Sequence, residues 1–244
     1  MEIDLDSDPR VTGEYVREVP RESGTLTLVG VVHDHPASVY RVQQVVEGID
    51  PEVLALELPP MSVPLFEQYA ETDRTPPVFG GEMSAAIQAA APETAVGIDR
   101  PTGGFFRSLG RKLLRERPSP ATVRNVVSSA ASTTKHAVLC RLAAAVAART
   151  SIRLEVDAPV PHDIDREAAP EDQATDEHEQ IQRSRSFMAA FRTASRSRAS
   201  RLADAAREEE MAARLSEHRE GDVVAVVGID HLDSLAERLA DGAV

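Results

Sequence analysis

Two Gly-x-x-His steps stand about 200 residues apart in the chain. Gly30 leads to His33 at the end of Thr-Leu-Thr-Leu-Val-Gly-Val-Val-His, and Gly228 leads to His231 at the end of Val-Val-Ala-Val-Val-Gly-Ile-Asp-His. Imidazoles carry protons near neutral pH and ligate divalent metals. A third group belongs with them. Glu57 closes the apolar run Val53-Leu54-Ala55-Leu56, where a buried acid needs a partner or a task. Two histidines and a glutamate from separate strand ends form a nitrogen-and-oxygen donor set suited to Zn, Mn, Co or Fe. Such an ion, with a position left open, would activate water for hydrolysis. The expected metal ligands are therefore His33, Glu57 and His231. Glu82, which follows Gly80-Gly81, is added to the catalytic set as a candidate acid or base, at a helix N-terminus whose dipole favours a carboxylate. His35, Asp99, Arg100, Arg207 and Glu208 are the expected substrate-binding residues. Asp99 and Arg100 close a third short strand, and Arg207 supplies the partner that a carboxylate such as Glu208 on an apolar helix face needs.

These groups meet only if the elements that carry them share an edge. The runs 25–32, 53–58 and 223–228 are β-branched and too short for helices, so they read as strands buried on both faces. A strand over 94–99 and short strands at 11–16 and 152–156 complete the set. The intervening periodicity predicts helices near 39–48, 63–71, 82–91, 105–116, 119–149, 171–218 in two pieces, and 232–240. Ser38 is the expected cap of the first and Gly48 its expected end. On 119–149 the small and apolar residues Val123, Val126, Val127, Ala130, Ala131, Thr134 and Val138 are expected on one packed face, which also offers a surface for a homodimer. Residues 157–180 read as an acidic linker or loop, and His136, His162, His178 and His218 as surface residues without convergent partners. Strands alternating with helices give an α/β class with a mainly parallel central sheet flanked by helices. The domain reading is a loose tail over 1–22 and one domain over 23–244, with the helical segment 105–219 inserted before the last core strand. Parallel strands place His33, Glu57 and His231 at one carboxyl edge, where open α/β sheets bind ligands.

Composition narrows the function classes. The formal charge is −13, and 25 of the 27 basic residues are arginine. The wrong sign for phosphate contacts sets nucleic acid aside. An acid-rich, lysine-poor chain suits cytoplasm of high salt, where screening removes self-repulsion, so the expected setting is the cytoplasm of a salt-in halophile, the alternative being an ordinary acidic protein from a GC-rich genome. Unfolding followed against KCl checks this: the transition should move up in molar KCl, and an unmoved transition refutes it. Cys140 is the single cysteine, which fits a reducing compartment. The start Met-Glu-Ile-Asp-Leu-Asp lacks a signal-peptide pattern, and no stretch is apolar for long enough to span a membrane.

In order along the chain, Leu-Val-Gly-Val-Val-His, Val-Leu-Ala-Leu-Glu-Leu, Gly-Glu-Met-Ser-Ala-Ala-Ile, Gly-Ile-Asp-Arg, Arg-Glu-Glu-Glu-Met-Ala and Val-Val-Ala-Val-Val-Gly-Ile-Asp-His-Leu resemble the TraB/PrgY family. That family is related to the Tiki proteases, the GumN-like proteins and, more distantly, the erythromycin-esterase/ChaN-like fold. The resemblance implies an EreA/ChaN-like α/β fold, both Gly-x-x-His histidines and the strand glutamate in one cleft, and a divalent-metal hydrolase acting on a peptide or a small amide or ester. Two features depart from it. Arg207-Glu208 stands where the family often has Arg-Asp or Arg-Asn, and the C-terminal membrane helices of many relatives do not occur before Val244. The alternative from a different class is a non-catalytic ligand-binding or regulatory protein that keeps the same pocket.

Overall fold

The apolar runs form strands because each buries both faces. In the computed structural model, which describes residues 8–90, 95–150, 156, 159–192 and 198–240, the strands are β1 (Val16–Pro20), β2 (Thr25–Val31), β3 (Val53–Leu56), β4 (Ala95–Gly97) and β5 (Val223–Gly228). Their order in the sheet is β1-β2-β5-β3-β4. The pairs β2/β5, β5/β3 and β3/β4 are parallel, and β1 is an antiparallel edge on β2. Side chains alternate between the two faces. Val29, Val31, Leu54, Leu56, Val224 and Val226 face one helical layer, and Leu26, Leu28, Ala55, Ala225 and Val227 face the other.

The first layer holds α1 (Pro36–Ile49), α2 (Val63–Ala70), α3 (Gly81–Ala89) and the C-terminal half of α5 (Pro120–Ala147). The second holds α7 (Arg198–Glu217) and α8 (Ile229–Ala240), through Met211, Leu215, Leu232 and Leu235. A smaller core of Phe105, Leu109, Val126, Ala130, Ala199 and Ala206 joins α4 (Gly103–Glu116) to α5 and α7. Helix α6 (Pro170–Arg192) lies against α1. Among the described residues four helices, α4 to α7, lie between β4 and β5.

Several local expectations are corrected. Residues 8–20 are packed: Val11, Tyr15 and Val16 are core residues, and the edge strand covers Val16–Pro20 where the sequence suggested 11–16. His35 caps α1, its Nδ1 accepting from the Ala37 amide at 3.2 Å, because Pro36 takes the first helical position. Ser38 lies inside the helix, and the left-handed cap at its far end is Asp50, two residues past Gly48. The linker reading of 157–180 gives way from Pro170 onward to helix. Residues 152–155 of the strand expected at 152–156 fall outside the described residues. On α5 the buried stripe is Val126, Ala130, Ala137, Cys140 and Ala144, while Val127 and Val138 are exposed. The predicted face merged two adjacent stripes.

Candidate active site at the carboxyl edge of the sheet

The topology sends four strand ends to one rim. β5 lies between β2 and β3, and this change in strand order opens a crevice at their carboxyl ends. His33 follows β2, Glu57 follows β3, Asp99 follows β4, and His231 lies in the first turn of α8 directly after β5. The two glycines of the Gly-x-x-His steps serve different ends. A Cβ on Gly30 would come within 2.8 Å of Ile229 Cδ1 and Leu232 Cδ2, so glycine there lets α8 lie against β2. The amide of Gly228 donates to Glu57 Oε2 at 2.5 Å.

Arg207, from α7, holds the rim together. Its Nε and Nη2 each donate to Asp99 at 2.6 Å, Nη2 also donates to Glu57 Oε1 at 2.5 Å, and Nη1 donates to His231 Nε2 at 2.9 Å. Four of its five N–H groups are thus engaged within the protein. Glu57 and Asp99 are buried, with side chains 3% and 8% exposed. Burial opposes the charge on Arg207, but the Asp99 hydrogen bonds and the Glu57 carboxylate outweigh it and raise the guanidinium pKa. His231 is held from its other side by Glu208, with Nδ1 3.2 Å from Oε1, and Glu208 also accepts from Ser234 Oγ at 2.7 Å. The ring is therefore the neutral Nδ1–H tautomer. Burial lowers its pKa, the Glu208 hydrogen bond and Glu57 raise it further than that, and a second proton has no place on Nε2 while Arg207 donates there.

His33 is held differently. Its Nδ1 lies 2.7 Å from Glu82 Oε1, and Glu82 Oε2 accepts from the Asp34 amide at 2.8 Å. Both oxygens of Glu82 are thus spent on orienting the His33 loop. Glu82 is buried in the first turn of α3, where the helix dipole favours its carboxylate. Asp34 adopts a left-handed φ of 59°, which turns the chain from β2 into α1. Gly81, at φ +50°, is required beside it, because a Cβ there would stand 2.0 Å from Asp34 Oδ1. The hydrogen bond that His33 Nδ1–H donates to Glu82 lifts the His33 pKa to about 9 against the pull of burial. At neutral pH the ring is an imidazolium with Nε2–H free to face solvent and substrate, and its side chain is 55% exposed.

Two cavities flank His33 and Glu57. One of about 600 Å³ is lined on its apolar side by Leu65, Phe66, Tyr69 and Met83, and closed by the loop that carries Val160, His162 and Ile164. The other, of about 360 Å³, contains Arg207, His231 and Gln180. The closing loop is tied to the site. The Val160 amide donates to Asp34 Oδ2 at 2.9 Å, His162 Nε2 donates to the His33 carbonyl at 2.7 Å, and Gln180 donates to His162 Nδ1 at 3.2 Å. His162 thus belongs to the site, although its sequence context predicts a surface residue. His178 likewise has a partner, the Tyr15 hydroxyl at 3.2 Å.

His35, expected to bind substrate, lines neither cavity. It is fully buried between its capping bond and Asp176, 3.1 Å from Nε2, and burial lowers its pKa. Arg100 packs over the Phe105 ring, 5.6 Å from its centroid, and lines neither cavity; burial and the nearby Arg207 charge lower its pKa. Asp99 and Glu208 position Arg207 and His231. A pair the sequence did not reveal joins α1 to α6: the buried Arg41 guanidinium is bonded to the buried Glu177 of α6, to which Ser38 also donates.

The expected metal ligands do not fit an ion as they stand. Arg207 is within hydrogen-bond distance of both Glu57 and His231, and only His33, whose Nδ1 is held by Glu82, keeps its Nε2 open. Among the described residues no three histidine, cysteine or acidic side chains gather as a metal cluster. No protein family, curated protein or solved structure matches the chain.

Proposed function

We propose that the chain is a hydrolase of a peptide or a small amide or ester, with its reacting centre between His33, Glu57, His231 and Arg207. The observation that carries this reading is that the exposed His33, held by Glu82, and the buried Glu57 carboxylate together line both cavities. Glu57 would take a proton from water as the water oxygen joins the carbonyl carbon. The fifth N–H of Arg207 would face the developing oxyanion. His33 would give its Nε2 proton to the leaving nitrogen or oxygen as that bond breaks, and solvent would return the proton from Glu57 to His33. The ordered motifs that resemble the TraB/PrgY family support the same reading, and the EreA/ChaN-like form of the fold and a halophilic cytoplasmic setting belong to the proposal.

A metal-dependent version requires Arg207 to leave the centre and His33, Glu57 and His231 to take Mn, Co, Zn or Fe in its place. The engaged donor set favours the version without an ion. Hydrolysis of p-nitrophenyl esters and of dipeptide amides, measured with and without added Mn²⁺, Co²⁺, Zn²⁺ or Fe²⁺, separates the two. His33→Ala should lose ~10²-fold or more in kcat/KM. Because His33 acts as the protonated acid, activity should fall as pH rises through about 9. Glu82→Gln should move that fall toward the ordinary imidazole value near ~6.5. The pair's contribution to stability has the same sign: complete below ~6.5 and lost as pH rises through about 9. Ligand-induced thermal shifts without turnover of any substrate would replace the hydrolase reading with that of a binding protein.

A further inference from the structure

The charge of −13 is not spread evenly. Residues 100–149 carry ten of the 27 basic residues, both lysines included, and a single acid, Glu116. The chain thus divides into a segment of +9 and a remainder of −22. The basic segment is the pair of helices α4 and α5, where Arg107, Arg115, Arg124, Lys135 and Arg141 are all exposed. The same two helices carry seven of the nine exposed large apolar side chains among the described residues. Leu114 is 80% exposed, and Phe106, Val127, Val138 and Leu142 are among the others. Phe106 and Leu114 lie two turns apart on one face of α4, and Val127, Val138 and Leu142 follow helical spacing along the outer face of α5. Phe106, Val127, Ala131 and Lys135 share an apolar groove of about 550 Å³ between the helices.

We infer that the α4–α5 pair is a surface that docks on an anionic lipid bilayer, laying its apolar side chains into the interface with its arginines and lysines at the headgroups. An α-helix apolar on its outer face as well as its inner one is made to be covered. A second copy of the chain is a poor cover. Among the described residues its acidic remainder offers only Val78 and Val160 as exposed large apolar side chains, and both border the cavity beside His33. The apolar counterpart that it does offer is its own α4–α5 pair, which carries the same positive charge. Nucleic acid would match the charge and leave the aliphatic side chains unburied. An anionic bilayer supplies negative headgroups and acyl chains together. No helix among the described residues is long and apolar enough to cross a membrane, so the pair would lie on the surface.

The test is flotation of the full chain with vesicles of phosphatidylcholine, pure or mixed with phosphatidylglycerol. In 0.1 M KCl the mixed vesicles should bind at least tenfold more protein than the pure ones, and 1 M KCl should weaken that binding severalfold. Val127→Asp with Leu142→Asp should lower it about tenfold without changing the melting transition, since both side chains are exposed. Arg107→Gln with Arg124→Gln should do the same through charge. Equal binding to neutral vesicles, or binding untouched by both variant pairs, overturns the inference. So does a concentration-dependent dimer in sedimentation that Val127→Asp dissolves, or tight binding to duplex DNA in place of vesicles.

Discussion

Arg207→Ala is expected to lower the stability of the fold by about 3–5 kcal/mol, the usual range when one partner of a buried ion pair is removed. The magnitude follows from what is left behind. Glu57 and Asp99 are almost wholly buried and share this one guanidinium, so the truncation strands two carboxylates. A Lys replacement should recover little. The two parallel bonds to Asp99, the bond to Glu57 and the bond to His231 diverge from one planar fork, and an ammonium cannot make all of them. Urea unfolding of Arg207→Ala, Asp99→Asn and the double variant measures the coupling. The double variant should lose less than the sum of the single losses, because the second change removes a charge that the first leaves bare. A loss for Arg207→Ala below ~1 kcal/mol would place the pair among solvated surface bridges and contradict the geometry. The same variant bears on function. It frees Glu57 Oε1 and His231 Nε2, so it is the form of the protein most open to a divalent ion. Metal binding that appears only in Arg207→Ala would show the guanidinium to be the reason the site does not take one.

Much of this centre is visible in the sequence because it is written in strand ends. A run such as Val223–Val227, buried on both faces, ends at a fixed place, and the residue that follows inherits an address at the sheet edge. His33, Glu57, Asp99 and His231 are legible for that reason. What joins them is not legible: Glu57 and Arg207 are 150 positions apart, and spacing in a chain does not report distances across a fold. The histidine–carboxylate pattern fits a metal site as well as a guanidinium, and Arg207 itself was assigned to substrate. Other misses have local causes. Val11 and Tyr15 are core residues hidden among the charges of Arg10, Glu14 and Arg17. The buried stripe of α6 is Gln173, Glu177 and Ile181, one turn apart at each step, and two of its three members are polar. Hydrophobic periodicity does not register such a stripe. The cap of α1 could have been found, since proline favours the first helical position and so points to residue 35. The basic character of 100–149 was also legible, but the net charge of the whole chain averages it away.

Glu177→Ala is the second change expected to have a large effect, again about 3–5 kcal/mol. Arg41 and Glu177 are 1% and 0% exposed, so neither charge reaches solvent when the other is removed. Arg41 would keep its bonds to the carbonyls of Gly30 and Arg10, each 2.8 Å, and its place over the Tyr15 ring, but none of these carries the countercharge. The loss should spread along α6 to the site. Glu177 fixes the helix that presents Gln180, Gln180 holds His162, and His162 holds the carbonyl of His33. Protease cleavage within the loop 159–169 should therefore accelerate in Glu177→Ala by more than the global destabilisation explains, as local opening is added to unfolding. Asp176→Asn is the control from the neighbouring position. Its partner His35 is neutral and the asparagine oxygen still accepts from Nε2–H, so the cost should stay below ~1 kcal/mol. Arg41→Met combined with Glu177→Met removes both charges and should be markedly more stable than either single variant. Should Glu177→Ala prove as mild as Asp176→Asn, the pair is solvated in solution and the loop that carries His162 is held by something else.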